Sequence, residues 1–335
     1  MTANTQILLA ETPRGKLESS HFQIQKGSVP TPEDGQVLVR SVLLSLDAAN
    51  RAWMQGATYK SAVEVGQIMH GYAIGEVVES KSSAYSAGDV VAGEFGWQEY
   101  ASINAKAVRP VGDHRPLTHH HSVLGIAGLT AHHGLLEVVG INEGETLLVS
   151  AAGGSVGSLV GQIGKIKGAR VVGVAGGPDK CRWVVDELGF DACIDYKEGS
   201  LSKALRQHCP KGVDVYFDNV GGDILQAALF AMKMHGRISC CGAVSQYDSA
   251  TPKGPLGVPG LLVTKRLTMR GFIAMDFPAL DAQALTDLGD WAASGKLKVV
   301  EDVLEGLESA PQGLIGLLAG ENRGKRMVRV GPDPA

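Results

Sequence analysis

The fold of this chain is decided by the stretch Val149-Ser150-Ala151-Ala152-Gly153-Gly154-Ser155-Val156-Gly157-Ser158. Residues 145–149, which lead into it, form a short apolar run bounded by turn residues, as is typical of a buried parallel strand. Residues 159–167, which follow it, carry apolar side chains at helical spacing and end at Gly168. A strand, a glycine turn and a helix in this order present backbone N–H groups and a positive helix end to a pyrophosphate.

The glycines of the turn fit part of a dinucleotide-binding pattern. Gly154 and Gly157 match the last two glycines of G-x-G-x-x-G, while Ala152 occupies the position of the first. The flanking strand and helix favour a cofactor site over the alternative, a tight turn without a ligand. The residues that we expect to bind the pyrophosphate are Gly154, Ser155, Val156, Gly157 and Ser158.

From residue 146 onward, strand and helix patterns alternate along the chain. Strand patterns lie over residues 146–149, 170–175, 192–196, 213–218, 237–241 and 267–273. Helical patterns separate the first five, over residues 159–167, 179–188, 201–208 and 225–232. Regular alternation predicts an α/β fold, a doubly wound parallel sheet whose ligand lies at the carboxyl ends of the strands. Residues 249–261 are rich in proline and glycine and are predicted to form a loop or lid.

The first 116 residues have a different pattern. Short segments, such as residues 36–42 and 75–80, alternate apolar and polar side chains between proline and glycine turns. A helical pattern runs from about Thr118 to Leu136, so this all-β domain is predicted to end near residue 116. The last strand pattern, residues 326–330, has no partner of its own and is expected to return to the β domain. The predicted domains are residues 1–116, completed by 300–335, and residues 117–299.

Length and composition narrow the possible functions. The chain of 335 residues suits two domains, and 44% of its residues are hydrophobic, so a substantial core can form. The net charge of -4 gives no electrostatic reason to expect nucleic acid or an anionic membrane as a partner. No apolar run reaches membrane-spanning length, and no signal-peptide pattern is visible at the N-terminus. We therefore expect no membrane association and a cytoplasmic location.

The cysteine and histidine patterns argue against a metal site. All five cysteines lie at or after residue 181, and none belongs to a C-x-x-C pair. His119, His120 and His121 are consecutive, and three consecutive side chains on a helix point in different directions. The sequence therefore predicts no metal, buried thiols in a reducing compartment, and a solvated helix start at the three histidines.

The end of the second parallel strand indicates which dinucleotide binds. In NAD-specific folds, an acidic residue about 20 positions beyond the glycine turn binds the ribose 2′-hydroxyl. Residues 175–177 of this chain, Ala-Gly-Gly, offer no acid, and Lys180 follows them. A neutral strand end with a nearby cation accommodates a 2′-phosphate, so the predicted cofactor is NADPH. The alternative for Lys180 is a solvated lysine in the first turn of a helix, where its charge opposes the helix dipole.

A series of motifs gives the chain a resemblance to a known superfamily. They are Gly125-x-x-Gly128-x-Thr130-Ala131, the glycine turn, Asp218-Asn219-Val220-Gly221-Gly222, Cys241-Gly242-Ala243-x-Ser245-x-Tyr247 and Gly324-Lys325. In this order they resemble the medium-chain dehydrogenase/reductase superfamily, and in particular its zinc-free branch of prostaglandin, alkenal and curcumin double-bond reductases. The resemblance implies a GroES-like β domain and a Rossmann domain, with the cofactor in the cleft between them.

The resemblance also implies a homodimer. The apolar last strand pattern of the parallel sheet, residues 269–274, supports this expectation. That strand would otherwise be an exposed sheet edge, which soluble proteins avoid.

Further cofactor contacts follow from the resemblance alone. It places Lys180 and Tyr196 on the 2′-phosphate, and Asn219 on the nicotinamide or its ribose. It also implies cofactor contacts for residues 241–247, residues 272–274 and Asn322. The members of the two segments are Cys241, Gly242, Ala243, Val244, Ser245, Gln246 and Tyr247, and Phe272, Ile273 and Ala274.

One segment departs from the branch. The branch carries Asp-Pro-Tyr-Met-Arg in a segment that lines the substrate pocket, whereas this chain has Asp47-Ala48-Ala49-Asn50-Arg51. The tyrosine of the pattern is missing, which leaves the identity of the substrate open. Tyr59 and Tyr72 are near in sequence and either refill that space or pack within the domain.

The chemistry that suits a metal-free site is reduction of a conjugated C=C bond, because a carbonyl group usually needs a Lewis acid. Hydride from the nicotinamide attacks the β-carbon and gives an enolate, which needs hydrogen bonds and then a proton at the α-carbon. The candidate proton donors are Tyr247, a ribose hydroxyl and water, and Tyr247 alternatively positions the ribose. The predicted function is NADPH-dependent reduction of α,β-unsaturated ketones or aldehydes. Quinone reduction, or a non-catalytic NADPH-binding scaffold or sensor, is the alternative.

Overall fold

Antiparallel sheets form the N-terminal part of the chain. The structure, a computed structural model, describes residues 3–251 and 253–334. The strands are β1 (Ala3–Leu9), β2 (Phe22–Ser28), β3 (Gln36–Ser45), β4 (Tyr72–Ser80), β5 (Val90–Glu94), β6 (Tyr100–Asn104) and β7 (Val108–Pro110), and helix α1 (Ala49–Trp53) follows β3. β1 and β2 pair with each other, while β3 to β7 belong to a seven-stranded sheet in which β3, β4, β5 and β7 are successive neighbours. The predicted β character of this region is confirmed.

Trp97 is the centre of the core beneath these sheets. Its side chain is fully buried, and its ring stacks on Phe22 with 5.7 Å between the ring centroids. Gly71, just before β4, packs directly on the indole, because a Cβ atom there would lie 2.5 Å from Trp97 Cδ1. This contact fixes the backbone that leads into β4.

The middle of the chain alternates strands and helices as predicted. Its strands are β8 (Thr146–Ser150), β9 (Arg170–Ala175), β10 (Ala192–Asp195), β11 (Val213–Asp218), β12 (Met232–Cys240) and β13 (Thr268–Gly271). Its helices are α2 (Ile126–His133), α3 (Ser155–Ile166), α4 (Pro178–Leu188), α5 (Leu201–His208), α6 (Gly222–Ala231), α7 (Val244–Tyr247), α8 (Val258–Lys265) and α9 (Asp281–Ala293).

These six strands form one parallel sheet in the order β10-β9-β8-β11-β12-β13. The order reverses direction at β8, where the chain leaves for β9 on one side and later returns to β11 on the other. This is the strand order of a doubly wound, dinucleotide-binding sheet, and it confirms the predicted fold class. The carboxyl ends of β8 and β11 lie side by side at the switch point, where ligands bind in such sheets.

The helix predicted from Thr118 to Leu136 is broken in the structure. Residues 117–120 form a single 3-10 turn, and α2 begins at Ile126 and continues as a π-helix over residues 134–139. Gly125 is extended, and a Cβ atom at Gly128 would lie 1.9 Å from Val123 O, so the chain folds back tightly before α2. His121 is 2% exposed, and His119 and His120 are half-buried, so the predicted solvated start is wrong.

The loop predicted over residues 249–261 is shorter than expected. Helix α8 begins at Val258, with Pro259 in its first turn. Proline is tolerated there because the first-turn amides have no intrahelical acceptor. Pro259, which belongs to the predicted loop, therefore lies inside a helix.

The end of the chain returns to the first sheet, as predicted. β14 (Glu301–Glu305), α10 (Ala310–Leu318) and β15 (Lys325–Arg329) form this part. β15 pairs antiparallel with β3, with Met327 opposite Ser45 and Arg329 opposite Leu43.

The chain divides into two compact units. The N-terminal unit comprises residues 3–118, 302–321 and 326–334, and the second unit comprises residues 119–301 and 322–325. Among the residues that the structure describes, no helix is both long and apolar enough to span a membrane.

Candidate active site

The glycine turn between β8 and α3 is built by close backbone approach. Ala151 has a φ of 49°, in the left-handed region, and its carbonyl oxygen accepts a hydrogen bond from Gly154 N at 2.9 Å. A Cβ atom at Gly157 would lie 2.3 Å from that same oxygen, so a larger residue there would push α3 off the turn.

The N-terminus of α3 has the properties of an anion site. Its N-cap residue, Gly154, has no side chain to cap the helix. The first amide bonded within this helix is that of Ser158, which donates to Gly154 O at 3.1 Å, and helix geometry leaves the preceding amides without intrahelical acceptors. Ser155 Oγ is buried and has no hydrogen-bond partner among the described residues. These groups fit the pyrophosphate of a dinucleotide.

Two of the five residues predicted in the turn face the protein with their side chains. Ser158 is 3% exposed, and its Oγ donates to Ser155 O at 3.3 Å. Val156 packs against the hydrophobic core of the second unit. Any contact from these two residues to a cofactor phosphate would come from the backbone.

The segment before β15 lies along the glycine turn. Gly324 N donates to Gly153 O at 2.9 Å, and Lys325 N donates to Val300 O at 3.0 Å. Gly324 has a φ of 68°, and a Cβ atom there would lie 2.1 Å from Val300 O, so glycine is required. The predicted contact Asn322 is 7% exposed, and its Nδ2 donates to Gly324 O at 2.8 Å. Asn322 thus shapes the segment that crosses the turn.

Lys180 joins these two segments. The stem of its side chain packs on the glycine turn, because a Cβ atom at Gly153 would lie 3.0 Å from Lys180 Cδ. Its Nζ donates to Asn322 O at 2.7 Å. The alternative of a solvated lysine therefore does not hold, since the side chain is packed and bonded.

Tyr196 and Lys197 lie beside the carboxyl end of β9. Tyr196 is 44% exposed, and its hydroxyl would lie 3.2 Å from a Cβ atom at Gly176. Lys197 Cε would lie 3.0 Å from the same point, which gives the strand end a second cation that the sequence analysis missed. Asp195 Oδ1 accepts from Gly177 N and Lys197 N, both at 2.9 Å, so this carboxylate is bound to the turn.

Arg323 and Trp183 were also missed. The guanidinium of Arg323 lies 5.4 Å from the centre of the Trp183 ring, a cation–π distance. The edge of that ring would lie 3.3 Å from a Cβ atom at Gly153. The only sequence signal for Arg323 is its position between Asn322 and Gly324.

The end of β11 is organised by a buried carboxylate. Asp218 accepts hydrogen bonds from Tyr216 Oη at 2.7 Å, Gly221 N at 2.9 Å and Val220 N at 3.0 Å. Burial raises the pKa of Asp218, although these hydrogen bonds oppose the rise. The network fixes the turn that carries the predicted residue Asn219, whose Nδ2 donates to Ser150 O at 2.8 Å.

Residues 241–247 are hydrogen-bonded to the end of β11 and to the turn that follows it. Cys241 N and Gly242 N both donate to Asp218 O, at 2.8 and 3.2 Å, and Ser245 Oγ donates to Val220 O at 2.6 Å. Tyr247 Oη accepts from Ala243 N at 3.2 Å. The hydroxyl of Tyr247 therefore supports the loop in which it lies. Val244 N donates to Asn219 O at 3.3 Å and Gln246 Nε2 to Lys253 O at 3.2 Å.

Residues 272–274 follow strand β13, and their side chains are buried or half-buried. Phe272 is 9% exposed, and its ring packs edge-on against Phe217 with 6.2 Å between centroids. Ala274 is 5% exposed, and Ile273 is half-buried. The side chain of Phe272 thus belongs to the core.

The predicted contacts fall into three groups at the carboxyl ends of the strands. The glycine turn, Lys180, Tyr196 and Asn322 gather around the ends of β8, β9 and β10. Asn219 and residues 241–247 gather around β11 and β12. Residues 272–274 come after β13.

The segment 47–51 is held by polar contacts within the N-terminal unit. Arg51 is fully buried, and its Nη2 donates to Gly15 O at 2.6 Å. Asn50 Nδ2 donates to His70 O at 3.0 Å. Tyr59 is 58% exposed, whereas Tyr72 Oη accepts from Arg109 Nε at 2.7 Å. Tyr72 is therefore held by Arg109, and more than half of the Tyr59 side chain is exposed.

The cysteines of the second unit are free thiols. Burial, together with the charge of Asp218, raises the pKa of Cys240 and of Cys241 to about 12 each. Both thiols are therefore protonated near neutral pH. Across residues 3–251 and 253–334, no three His, Cys, Asp or Glu side chains are grouped so that they could hold a metal ion.

Comparisons with known proteins match both halves of the chain. The family model described as the N-terminal domain of oxidoreductase matches residues 5–111, and the one described as zinc-binding dehydrogenase matches residues 155–290. The chain is 42% identical over 338 residues to the NADPH-dependent curcumin reductase of Escherichia coli (strain K12), with 98% of each protein covered. It is 38% identical over 336 residues to the 2-alkenal reductase (NADP(+)-dependent) of Nicotiana tabacum, again with 98% of each covered.

A solved structure matches the whole fold. CurA from Vibrio vulnificus in complex with NADPH superposes with a TM-score of 0.94 and is 38% identical in sequence. The match covers 98% of this chain and 100% of that one.

Proposed function

The chain belongs to the medium-chain dehydrogenase/reductase superfamily, in its zinc-independent reductase branch, and on this basis we propose that it reduces the C=C bond of α,β-unsaturated ketones and aldehydes with NADPH. The observation that carries the proposal is the 42% identity to an NADPH-dependent curcumin reductase over 98% of both proteins. The protein is an NADPH-dependent oxidoreductase of the CH–CH group.

The cofactor is bound at the carboxyl ends of β8 to β12. The amides of residues 155–157 bind the pyrophosphate at the start of α3, where the helix dipole favours negative charge. Lys180 and Tyr196 bind the 2′-phosphate beside Gly176, and Asn322 holds the segment that crosses the turn. Asn219, residues 241–247 and residues 272–274 contact the nicotinamide half of the cofactor.

When bound, NADPH supplies the hydride that adds to the β-carbon of the enone. The role of Tyr247 is to position the cofactor ribose. Its hydroxyl oxygen accepts from Ala243 N, and the hydroxyl would lie 3.4 Å from a Cβ atom at Gly242, so the ring is part of the loop. The proton for the α-carbon then comes from a ribose hydroxyl or from water.

The protein acts as a homodimer. β13 is an edge strand of the parallel sheet, and no residue of helix α8, which precedes it, is fully buried. Leu256 and Val263 are 80% and 74% exposed. An edge strand, together with these exposed apolar side chains, favours pairing with a second copy. The free thiols support a cytoplasmic location, since cysteines remain reduced there.

The test is a product analysis with the purified protein. NADPH that carries deuterium at the transferable position, incubated with an enone, is expected to give the saturated ketone with deuterium at the β-carbon. An allylic alcohol would mean that the carbonyl group is reduced, and the proposal would be wrong. Parallel assays with ortho- and para-quinones test the quinone reductase alternative. Binding of NADPH without oxidation in any assay would indicate a scaffold or sensor.

A further inference from the structure

Three buried nitrogen atoms lie on neighbouring side chains of the N-terminal unit. They are Trp53 Nε1, Lys60 Nζ and His70 Nδ1, and none of them has a hydrogen-bond partner within the described chain. Lys60 Nζ lies 4.4 Å from the centre of the Trp53 ring, and the rings of Trp53 and His70 are 6.4 Å apart. Buried polar groups in proteins normally make hydrogen bonds, so three neighbouring groups that make none call for an explanation.

The backbone that carries His70 is fixed from two sides. Asn50 Nδ2 donates to His70 O at 3.0 Å, and the next residue, Gly71, packs against Trp97. Asn50 stands where the Asp-Pro-Tyr-Met-Arg pattern of the branch has methionine. The departure from that pattern thus has a structural effect, because the asparagine side chain holds the histidine in place.

The cluster offers hydrogen-bond donors. An indole nitrogen and an ammonium group donate and do not accept. Burial and the charge of Lys60 lower the pKa of His70, while Glu94 opposes this shift, so the imidazole is neutral near pH 7 and can carry its hydrogen on Nδ1. The complement of such a cluster is an oxygen atom that accepts hydrogen bonds.

The charge balance indicates which kind of oxygen fits. Lys60 Nζ lies 2.6 Å from Glu94 Oε2, an ion-pair distance, although the two groups are not aligned for a hydrogen bond. The pair carries no net charge, and an anionic ligand group near Lys60 would meet the Glu94 carboxylate as well. A neutral oxygen therefore suits the cluster better than a carboxylate or an enolate.

We propose that Trp53, Lys60 and His70 bind a neutral oxygen substituent of the substrate, such as a ring hydroxyl, a methoxy group or a second carbonyl group. This assignment rests on the proposed enone reductase function and names a part of its substrate. The side chain of Lys60 is 22% exposed and lies over the Trp53 ring, so it must move off the ring for the substrate to reach the donors. Tyr59 packs edge-on against Trp53 at 6.1 Å and offers an aromatic surface beside them.

The experiment compares two enones that differ in one atom. They are the para-methoxy derivative of benzylideneacetone and its para-ethyl isostere, in which a methylene replaces the oxygen. The ratio of their kcat/KM values cancels general effects of a substitution on folding or on cofactor binding. In His70→Leu and in Trp53→Phe, loss of one neutral hydrogen bond should lower this ratio by about threefold to tenfold, through KM of the methoxy substrate.

Matched variants separate hydrogen bonding from packing. His70→Asn keeps an amide donor near the position of Nδ1 and should retain most of the wild-type ratio. Lys60→Met keeps the stem over the indole and should lower the ratio. Lys81→Met, an exposed lysine of the same unit, is the control and should leave it unchanged.

Two results would overturn the proposal. One is a ratio that stays at the wild-type value in both His70→Leu and Trp53→Phe. The other is a fall in kcat for both enones alike, which would assign the donors to the reacting oxygen instead. If the wild-type protein reduces neither enone, the proposed function itself fails, and the two failures are thereby distinguished.

Discussion

At the scale of single residues, we propose that Lys180 selects NADPH over NADH. Its stem packs on Gly153 and its Nζ bonds to Asn322 O, so the charge is held at the glycine turn. A charge-assisted hydrogen bond to a 2′-phosphate has no counterpart with NADH. Lys180→Met should therefore raise KM for NADPH on the order of 10–100-fold and change KM for NADH far less. Steady-state kinetics with both cofactors measures this difference.

Lys197 gives a graded comparison and Lys211 a control. Lys197→Met should have the same selective effect as Lys180→Met but a smaller one, because Lys197 is exposed and its charge is screened. Lys211 precedes β11 and so lies at the amino end of a strand, away from the carboxyl ends, and Lys211→Met should change neither KM. Equal kcat/KM for NADPH and NADH in the wild-type protein would contradict the assignment of a phosphate site.

Tyr247 can be tested by removing one oxygen atom. Its hydroxyl accepts a backbone hydrogen bond, so Tyr247→Phe should reduce turnover or NADPH affinity by about tenfold. An essential general acid would contribute about 10²–10⁴-fold. A thousandfold loss in kcat, with NADPH affinity unchanged in a fluorescence titration, would make Tyr247 the proton donor.

The residues that the sequence did not reveal share a physical cause. Lys180 could be predicted because it follows a strand end without an acid, and Tyr196 because it matches a family position; their contact with the phosphate stays a prediction. Lys197 points toward Gly176 only because Asp195 binds the amides of the turn, and Arg323 matters only where its segment crosses Gly153. Such placements depend on tertiary contacts between segments far apart in sequence.

At the scale of elements, the start of α3 requires a residue without a side chain at position 157. Gly157→Ala would put a Cβ atom 2.3 Å from Ala151 O, so the turn and the helix would have to separate. We expect lower thermal stability and weaker binding of NADPH and NADH alike, because the pyrophosphate site is common to both. Differential scanning fluorimetry with and without cofactor measures both effects.

Gly260 provides the matched control for this substitution. It lies inside α8 with no atom near enough to meet an added Cβ. Gly260→Ala should therefore raise stability by roughly 0.5–1 kcal/mol, the ordinary gain of alanine over glycine in a helix. The prediction for Gly157 is wrong if both alanine variants behave alike.

Helix α8 and strand β13 should form the dimer contact. Val263→Lys places a charge at a side chain that is 74% exposed in the single chain, so it should have little effect on the folded protomer. In a dimer the same charge would be buried without a partner and should weaken association. Light scattering at micromolar concentration is expected to give a dimer for the wild type and a smaller mass for the variant. A monomeric wild-type protein would contradict the proposal.

Strands and helices could be predicted from the sequence where their burial requires a regular pattern of apolar residues. Strands β8, β9 and β11 are buried almost throughout and are apolar for most of their length, so their order along the chain was predictable. The helix predicted from Thr118 was wrong because the helical spacing of apolar residues does not reveal that Gly125 and Gly128 let the backbone fold onto Val123. The start of α8 was missed because a proline in the first turn resembles a loop signal.

At the scale of the whole molecule, each unit contains a histidine whose pKa is lowered by burial. In the second unit, His132 is 4% exposed, and its Nε2 lies 3.3 Å from Asp287 Oδ2. Burial lowers the pKa of His132, a shift that the bond to Asp287 opposes and the neighbouring His133 reinforces. In the N-terminal unit, the pKa of His70 is also lowered. Protonation of either histidine therefore lowers the stability of the folded state.

The direction in which stability changes with pH depends on whether the folded protein or the unfolded chain binds more protons. Below the ordinary histidine pKa of 6.5, the unfolded chain takes up protons that folded His132 and His70 resist. Their contribution to the free energy of unfolding is therefore complete above about pH 6.5 and is lost as the pH falls through the lowered pKa values. The urea midpoint of unfolding should decrease as the pH is lowered from about 7.5 to about 5.

His132→Gln should make this decrease shallower, because glutamine keeps an amide donor for Asp287 and does not titrate. A slope equally steep in His132→Gln would mean that other groups control acid unfolding.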